Sequence, residues 1–454
     1  MLAADGLPTP QRQWAILTMG IALVMAVLDG AIANVALPTM AKDLGTSAAG
    51  SIWVVNAYQL AVTVSLFPLS SLGDIVGYRR VYWWGLLVFT AASAACALSD
   101  TLLALTIARV VQGFAAAGIM SVNIALVRFI YPHRQLGRGV GLNALIVAVA
   151  SAAGPTIAGI MLSVASWQWL FAINVPLGAV ALVIATRSLP HSPRSTHRFD
   201  SVSALLNAMV FGALICGIKG LDGSQPVALT VAELAGAAVL GVVLVRRQMS
   251  QTAPLLPVDL LRRPVFALSV TTSIGSFAAQ AIAYVALPFY LQDVIGRSAV
   301  ETGLLMTPWP LGTALMAPLS GRLADRYDPG LLGGLGLAIL AVGLGALALL
   351  PADPATADIV WPMAVCGLGF GLFQSPNNKL LITSAPKERS GGASGIQSTA
   401  RLLGQTLGAA FVGLLFTAHA THGTVIALTL ACALSLAGGV ASSLRYRRSP
   451  LATG

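Results

Sequence analysis

Asp29 and Arg109 are the two residues in this sequence whose type and position most clearly set up chemistry. Asp29 is the one carboxylate deep within the apolar segments of the first half of the chain. At 1.5 Å of helix rise per residue it lies about 22 Å beyond Trp14 and about 12 Å short of Leu37. Arg109 sits about 10 Å along a second apolar segment that begins at Leu102 and runs the other way. The depths match, so the two charges can lower each other's burial cost. Burial favours the neutral acid, whereas a neighbouring guanidinium favours the carboxylate. The proton occupancy of Asp29 can therefore follow the hydration and occupancy of a cavity. Reversible protonation is the functional reading of the pair; an ion pair that only orients two helices is the alternative.

Arg401 is the lone charge deep in the second half. Gln397 and Gln405 stand one turn before and after it, and Ser394 and Ser398 extend the polar stripe. Gly404 and Gly408 offer a small-residue face for close helix contact. The stripe reads as cargo contact or gating, with hydrogen bonding to a neighbouring carbonyl as the other possibility. Asn56, Gln59 and Thr63 share one helix face, as do Ser273, Ser276, Gln280 and Tyr284. Trp53, Tyr58, Trp309, Phe370 and Phe373 can stack against a flat or cationic ligand, or else pack in a core or face lipid.

These residues must be positioned by membrane helices. Only 9% of the 454 residues are charged and 56% are hydrophobic, against roughly a quarter charged in an average soluble domain. A water-soluble fold, a disordered chain and a signal peptide on a soluble body are all excluded. Residues 44–73, 139–186, 201–218, 264–292, 302–321, 329–352, 359–378 and 402–444 contain no Asp, Glu, Lys or Arg. A span needs about 20 apolar residues, so the second and last of these runs each hold a hairpin, broken near 166–168 and 419–423. Helices are predicted near 14–37, 51–71, 81–99, 102–122, 140–164, 169–186, 202–218, 229–245, 265–290, 303–320, 331–350, 359–378, 392–418 and 424–443. Fourteen spans leave no loop large enough for a separate domain, so function must lie within an all-α membrane bundle.

With an even number of spans and a cytoplasmic N-terminus, all but five of the 26 Lys and Arg residues fall in inner loops and tails. Lys42, Lys219 and Arg297 lie outside, and Arg109 and Arg401 lie within spans. That bias places both termini in the cytoplasm. It also accounts for the net charge of +10 and pI near 9.9 through contact with anionic lipid, without nucleic acid. Cys96, Cys216, Cys366 and Cys432 lie singly in apolar spans and suggest neither disulfide nor metal site. His419 and His422 share a turn, but without a third ligand they read as a solvated pair.

A repeat marks the ends of the second and tenth spans. The first copy is Ser70-Ser71-Leu72-Gly73-Asp74-Ile75-Val76-Gly77-Tyr78-Arg79-Arg80; the second is Gly321-Arg322-Leu323-Ala324-Asp325-Arg326-Tyr327-Asp328-Pro329. Eight spans separate them, so both face the same side, as expected of two six-helix halves with an inserted pair. Further motifs are Leu28-Asp29-Gly30 through Asn34 to Pro38, Trp53-Val54-Val55-Asn56-Ala57-Tyr58, Arg109-Val110-Val111-Gln112-Gly113, Gly154-Pro155-Thr156-Ile157-Ala158-Gly159, and Trp167 through Asn174 to Pro176. With these motifs the chain resembles, over its full length, the major facilitator superfamily and specifically its fourteen-helix drug:proton antiporter branch. The sequence departs from the usual pattern at Ser70, Ile75, Ala150, Ala158 and Gln168.

The resemblance implies two six-helix bundles, residues 1–190 and 251–454, with two additional central helices in 191–250. It implies that Asp29 and Arg109 couple protons where the first and fourth spans line a central cavity. Asn34, Trp53, Asn56, Tyr58, Gln59, Gln112, Gln280, Tyr284, Trp309, Phe373, Gln397 and Arg401 are the candidate cargo cavity. Gly73, Asp74, Gly77, Arg79, Arg80, Gly321, Asp325 and Arg326 would form switching loops, with plain solvated turns as the alternative. Gly141, Gly154, Pro155 and Gly159 would kink and thin the fifth span, a surface that the family uses against proton leakage. The expected protein is an antiporter of the cytoplasmic (inner) membrane. It exports lipophilic, drug-like small molecules by alternating access, as a monomer without cofactor or metal, driven by the proton gradient. A proton-coupled uptake symporter is the rival, and a membrane-embedded enzyme or sensor the remote one, since no catalytic constellation is legible.

Overall fold

The computed structural model describes residues 6–132, 135–192, 194, 199–221, 225–250, 258–324, 326–351, 353–384, 390–418 and 422–445. Helices and no strands occur among these residues. In order they are α1 (Thr9–Asp43), α2 (Ala48–Ser51), α3 (Trp53–Val76), α4 (Tyr78–Ala97), α5 (Leu102–Ile130), α6 (Leu136–Val164), α7 (Trp169–Ala172), α8 (Asn174–Ser188) and α9 (Ser201–Gly220). There follow α10 (Val227–Ser250), α11 (Pro264–Phe289), α12 (Ala299–Met306), α13 (Pro308–Leu323), α14 (Pro329–Ala348), α15 (Thr356–Thr383), α16 (Ser390–Ala418) and α17 (Gly423–Leu444). Each span expected from the sequence coincides with one helix or with an abutting pair: α2 with α3, α7 with α8, α12 with α13.

Eleven stretches among the described residues are long and apolar enough to cross a membrane. Three others fall short. α4 opens on Tyr78, Arg79 and Arg80, α12–α13 is broken at Thr307 into pieces of 8 and 16 residues, and in α6 the apolar stretch counted is the shorter Val149–Val164. Large apolar side chains such as Val164, Leu98 and Leu349 are more than three-quarters exposed, which suits a surface solvated by lipid.

Local signals place the helix ends. Ser47 caps α2 by accepting from the Gly50 amide, and Thr101 caps α5 by accepting from the Ala104 amide. Ser298 and Glu301 close a reciprocal capping box at α12. Asp328 accepts from two amides at the start of α14, with Pro329 in its first turn. Between α3 and α4 the chain reverses at the single residue Gly77, whose φ of 99° favours glycine.

Helices α1–α8 pack together as one lobe and α11–α17 as another. Two pairs of glycines reveal an internal repeat that the motif reading did not include. Gly85 on α4 faces Gly118 on α5 in the first lobe, as Gly336 on α14 faces Gly369 on α15 in the second. The helix pair α9–α10, central in sequence, is peripheral in space. α9 lies against α3 and α16, fastened by Asn207, whose amide donates to the Val64 carbonyl at 2.9 Å.

The two ends of the bundle differ. One carries Arg79, Arg80, Arg263 and Arg322 and is called here the basic end. At the opposite end a continuous apolar cluster joins Ile32, Leu37 and Trp167 of the first lobe to Ile282, Leu291 and Leu305 of the second. Toward the basic end the lobes have separate clusters, one around Tyr82 and Leu126 and another around Phe266 and Leu381, and only Leu402 reaches across. Among the described residues, the polar links between lobes also lie toward the opposite end. Thr156 and Thr307 share a hydrogen bond at 2.5 Å, Gln292 donates to the Val35 carbonyl at 3.0 Å, and Lys42 pairs with Asp293 at 2.8 Å.

Small residues make this seal possible. A side chain at Gly159 would strike the Ala299 carbonyl at 2.8 Å, and one at Gly303 would strike the Pro155 carbonyl at 2.2 Å. With the free cysteines Cys96, Cys216, Cys366 and Cys432 replaced by Ser, the pair Thr156→Cys and Thr307→Cys is expected to form an inter-lobe disulfide under mild oxidation. Gel mobility after cleavage between the lobes checks this; absence of the crosslink would place the lobes apart here.

Candidate functional site

Asp29 on α1 and Arg109 on α5 do meet. The Asp29 carboxylate accepts from Arg109 Nη1, from Gln112 Nε2 at 2.9 Å and from Asn174 Nδ2 at 3.3 Å. Arg109 Nη1 also donates to Gln112 Oε1 at 2.7 Å, and its Nε to the Val54 carbonyl at 3.0 Å. Gln112 in turn donates to Ser93 on α4 at 2.9 Å. The guanidinium lies 4.1 Å from the Tyr58 ring centroid and 5.5 Å from that of Phe171. The Tyr58 hydroxyl donates to the Ala26 carbonyl at 3.2 Å. Glycine permits the close approach of α3 and α5, since a side chain at Gly113 would meet the Tyr58 carbonyl at 2.5 Å.

The two charged side chains are 0% and 1% exposed. The pair thus sits inside the first lobe, among α1, α3, α4, α5 and α8, instead of facing open space between lobes. In this conformation cargo cannot touch the carboxylate. Buried charges at this depth are tolerable only with their partners in place. A proton on Asp29 Oδ2 would weaken the attraction to Arg109, while Oδ1 would remain an acceptor for Gln112 and Asn174. Ser93 and Asn174 were not singled out from sequence. The available signal was that Asn174 is the sole amide in the otherwise apolar stretch 169–186.

The other candidates divide among several places. Trp53 and Asn56 line a cavity of about 240 Å³ between α2–α3, α9 and α16. There the Lys219 ammonium lies 5.2 Å from the Trp53 ring, and Asn56 Oδ1 is buried without a hydrogen bond. Asn34 donates to the Gly30 carbonyl of its own helix. Gln59, Gln280, Tyr284, Gln397 and Arg401 are half-buried. Tyr284 meets Trp309 edge to face at 5.2 Å. Trp309 and Phe373, expected in a cavity, are 0% exposed and serve as core of the second lobe, because their rings pack where α13, α14 and α15 converge.

The loop motif after α3 turns inward on its own lobe. Tyr78 donates to Asp74 at 2.5 Å, and Arg79 bonds the Thr186 carbonyl and the His191 ring. A side chain at Gly73 would collide with Val122 at 2.6 Å, so that glycine sets the α3–α5 contact. Arg80 and Arg326 are exposed, Gly321 has open space around it, and Asp325 and His419 lie outside the described residues. Gly154 packs on Ala31 of α1, and Pro155 and Gly159 pack on α12; Gly141 belongs to α6 and is described by its backbone alone. This surface closes the lobes against each other.

A second buried cation is Arg445, which the sequence alone places among the inner loops and tails. Arg445 is 2% exposed and donates to Ser269 at 2.8 Å and Asn377 at 2.6 Å, tying α17 to α11 and α15. No group of three metal-binding side chains is gathered among the described residues.

The family model described as Major Facilitator Superfamily matches residues 19–409. The uncharacterized transporter YebQ of Escherichia coli (strain K12) is 60% identical over 97% of both chains. The riboflavin transporter RibZ of Clostridioides difficile (strain 630) is 28% identical, covering 91% of this chain and 90% of its own. Multidrug resistance protein Stp of Mycobacterium tuberculosis (strain CDC 1551 / Oshkosh) is 31% identical over 88% of this chain and 74% of its own. Among solved structures, the peptide transporter POT aligns over 96% of this chain and 94% of its own with a TM-score of 0.73 at 14% identity, a likeness of fold alone.

Removing one member of the buried pair should cost more than removing both. Arg109→Gln, which strands the Asp29 charge, is expected to destabilise by about 3–5 kcal/mol, and Asp29→Asn with Arg109→Gln by clearly less. Thermal unfolding of the purified variants in detergent measures the difference; equal losses would show that the two charges are not coupled.

Proposed function

Because the chain belongs to the major facilitator superfamily, we propose that it is a proton-coupled exporter of lipophilic, drug-like small molecules working by alternating access. It does so as a fourteen-span monomer of the cytoplasmic membrane, with bundles at 1–190 and 251–454, an inserted pair at 191–250 and both termini inside. It uses no cofactor, and the proton gradient supplies the energy. The basic end is the cytoplasmic one on the strength of its Lys and Arg bias. The described conformation, sealed at the opposite end, is then the one that faces the cytoplasm. Export of drug-like cargo is supported by the likeness to multidrug resistance protein Stp.

The observation that carries this reading is the enclosed Asp29–Arg109 pair. A carboxylate held by a guanidinium and two amides, inside a lobe, can store one proton only by loosening the helices around it. In the cytoplasm-facing state the carboxylate is charged and the lobe is tight. Opening to the outside hydrates the pair and admits a proton. Return to the inside state expels that proton as the network reforms. Cargo couples to this cycle by favouring one packing of the lobe over the other, not by contact with Asp29. Pro155 and Gly159 supply the close contact that must part for the outward state.

Reconstituted protein with an imposed pH gradient provides the test, with ethidium and 2-naphthoate as cationic and anionic aromatic probes. Wild type is expected to move at least one of them against its gradient as protons flow down theirs. Asp29→Asn is expected to retain downhill exchange but lose uphill pumping. Uphill pumping by that variant would remove Asp29 from the coupling role. Accumulation of probe on the side that receives the protons would instead mark an uptake symporter.

A further inference from the structure

Among the described residues, Arg401 is a cation well inside the spans that the Asp29–Arg109 network leaves unused and that no ion pair balances. It lies about 16 Å from the start of α16 at Ser390, well inside the apolar zone. Its Nε is buried without a hydrogen bond, and no ion pair involves it among the described residues. Arg109 and Arg445 also leave guanidinium nitrogens unbonded, but each is held through Nη1, Arg109 by Asp29 and Arg445 by Ser269 and Asn377.

Among the described residues, no carboxylate is placed to compensate it. The helices packed against α16 are α2, α3, α9, α11, α15 and α17. Of these, α2, α9, α11 and α17 contain no Asp or Glu, and the acids of the others stand near helix ends, Asp74 near the end of α3 and Asp358 in the first turn of α15. Lys379 on α15 and Lys219 on α9 only add positive charge. The sole carboxylate deep within a span, Asp29, is enclosed in the first lobe and already paired.

The direction of Arg401 follows from its neighbours at 100° per residue around the helix. Gly404 and Gly408 press on the Ile274 and Ala278 carbonyls of α11, while Leu402 joins the first-lobe cluster of Tyr58 and Val62. Arg401 stands between those two faces, on the polar stripe of Gln397, Ser398 and Gln405, toward the end where the lobes have separate apolar clusters. Gln397, Ser398 and Gln405 flank it and are half-buried, whereas Ile396, Ala400 and Leu402 are buried. The stripe therefore borders accessible space.

A guanidinium held at this depth without a counter-charge is costly, and an anion entering the cleft would relieve that cost. We infer that the cargo carries an anionic group, a carboxylate or another oxyanion, that pairs with Arg401 while the flanking amides of Gln397 and Gln405 take its remaining hydrogen bonds. This deepens the transport reading by naming the cargo's charge. The planar guanidinium matches an oxyanion through two parallel hydrogen bonds. The aromatic or aliphatic remainder of the cargo lies along the apolar walls. The bound pair is neutral, so cargo binding removes the charge penalty that resists movement of α16 past the first lobe.

Binding of 2-naphthoate and of its size-matched cation, 2-naphthyltrimethylammonium, to the full-length chain in lipid nanodiscs tests this without requiring transport or protons. Wild type should bind the anion saturably and in preference to the cation. Arg401→Gln should weaken the anion by about tenfold or more, the equivalent of one lost charge-assisted contact, and Arg401→Lys, which keeps the charge but loses the fork, should weaken it less. The Gln variant should also unfold at the same temperature as ligand-free wild type or higher, since a structural hydrogen-bonding role predicts the opposite shift. If Arg401→Gln does not fold, Gln405→Glu supplies an internal counter-charge one turn away and should abolish anion binding with Arg401 intact. Anion binding that survives Arg401→Gln or Gln405→Glu, or equal binding of anion and cation to wild type, overturns the assignment. A failed pumping test at Asp29 would leave this binding result standing, so the two readings fail separately.

Discussion

A single ion pair in a medium without water sets the terms for the first lobe. Asp29 and Arg109 cannot be ionised there separately, and their depth leaves bulk solvent no access in this state. The surroundings are arranged to satisfy them: Gln112 and Asn174 complete the carboxylate, Tyr58 and Phe171 stack on the guanidinium, and the Val54 carbonyl takes the Nε hydrogen. Five helices contribute to one charge-neutral cluster, so any change in its protonation is felt by the lobe as a whole. Enclosure keeps the carboxylate away from the space between the lobes. In the proposed cycle, communication between proton and cargo then travels through helix packing.

Helix packing is tuned by the absence of side chains. At Gly113, Gly154, Gly159 and Gly303 a single added carbon would collide with backbone or an adjoining side chain, so these positions let helices approach closely enough for dispersion and weak contacts to hold them without a hydrophobic driving force. The closure at one end consists of such contacts plus an exposed ion pair and two hydrogen bonds. Nothing in it is large enough to be irreversible. Toward the other end the lobes have separate apolar clusters and the Arg401 stripe is half-buried, so closed and open ends belong to one rigid-body arrangement.

The lobes share a repeat but not a charge plan. The facing glycines on α4–α5 and on α14–α15 show equivalent packing, yet only the first lobe encloses a balanced pair. The second carries Arg401 bordering the cleft and Arg445 locked near the basic end. The repeated packing supplies the scaffold, and on the proposed reading the first lobe serves the proton and the second the cargo's charge.

The amino-acid sequence by itself determined that this is an all-helical membrane protein, because hydrocarbon accepts only long uncharged stretches and the boundaries of those stretches are written in the order of residues. It determined the matched depths of Asp29 and Arg109 too, since helix rise is a constant. The repeat at Gly73-Asp74 and the Gly154-Pro155 motif were legible for the same reason, as local patterns. Which way side chains turn was decided only by tertiary structure. Trp309 and Phe373 proved to be core, Arg445 proved to be buried, and Asn174 proved to complete the Asp29 site, because such outcomes depend on helices far apart in the chain. Enclosure of the ion pair inside one lobe, and the seal between α6 and α12, likewise arise from approach distances between distant segments that no periodicity encodes.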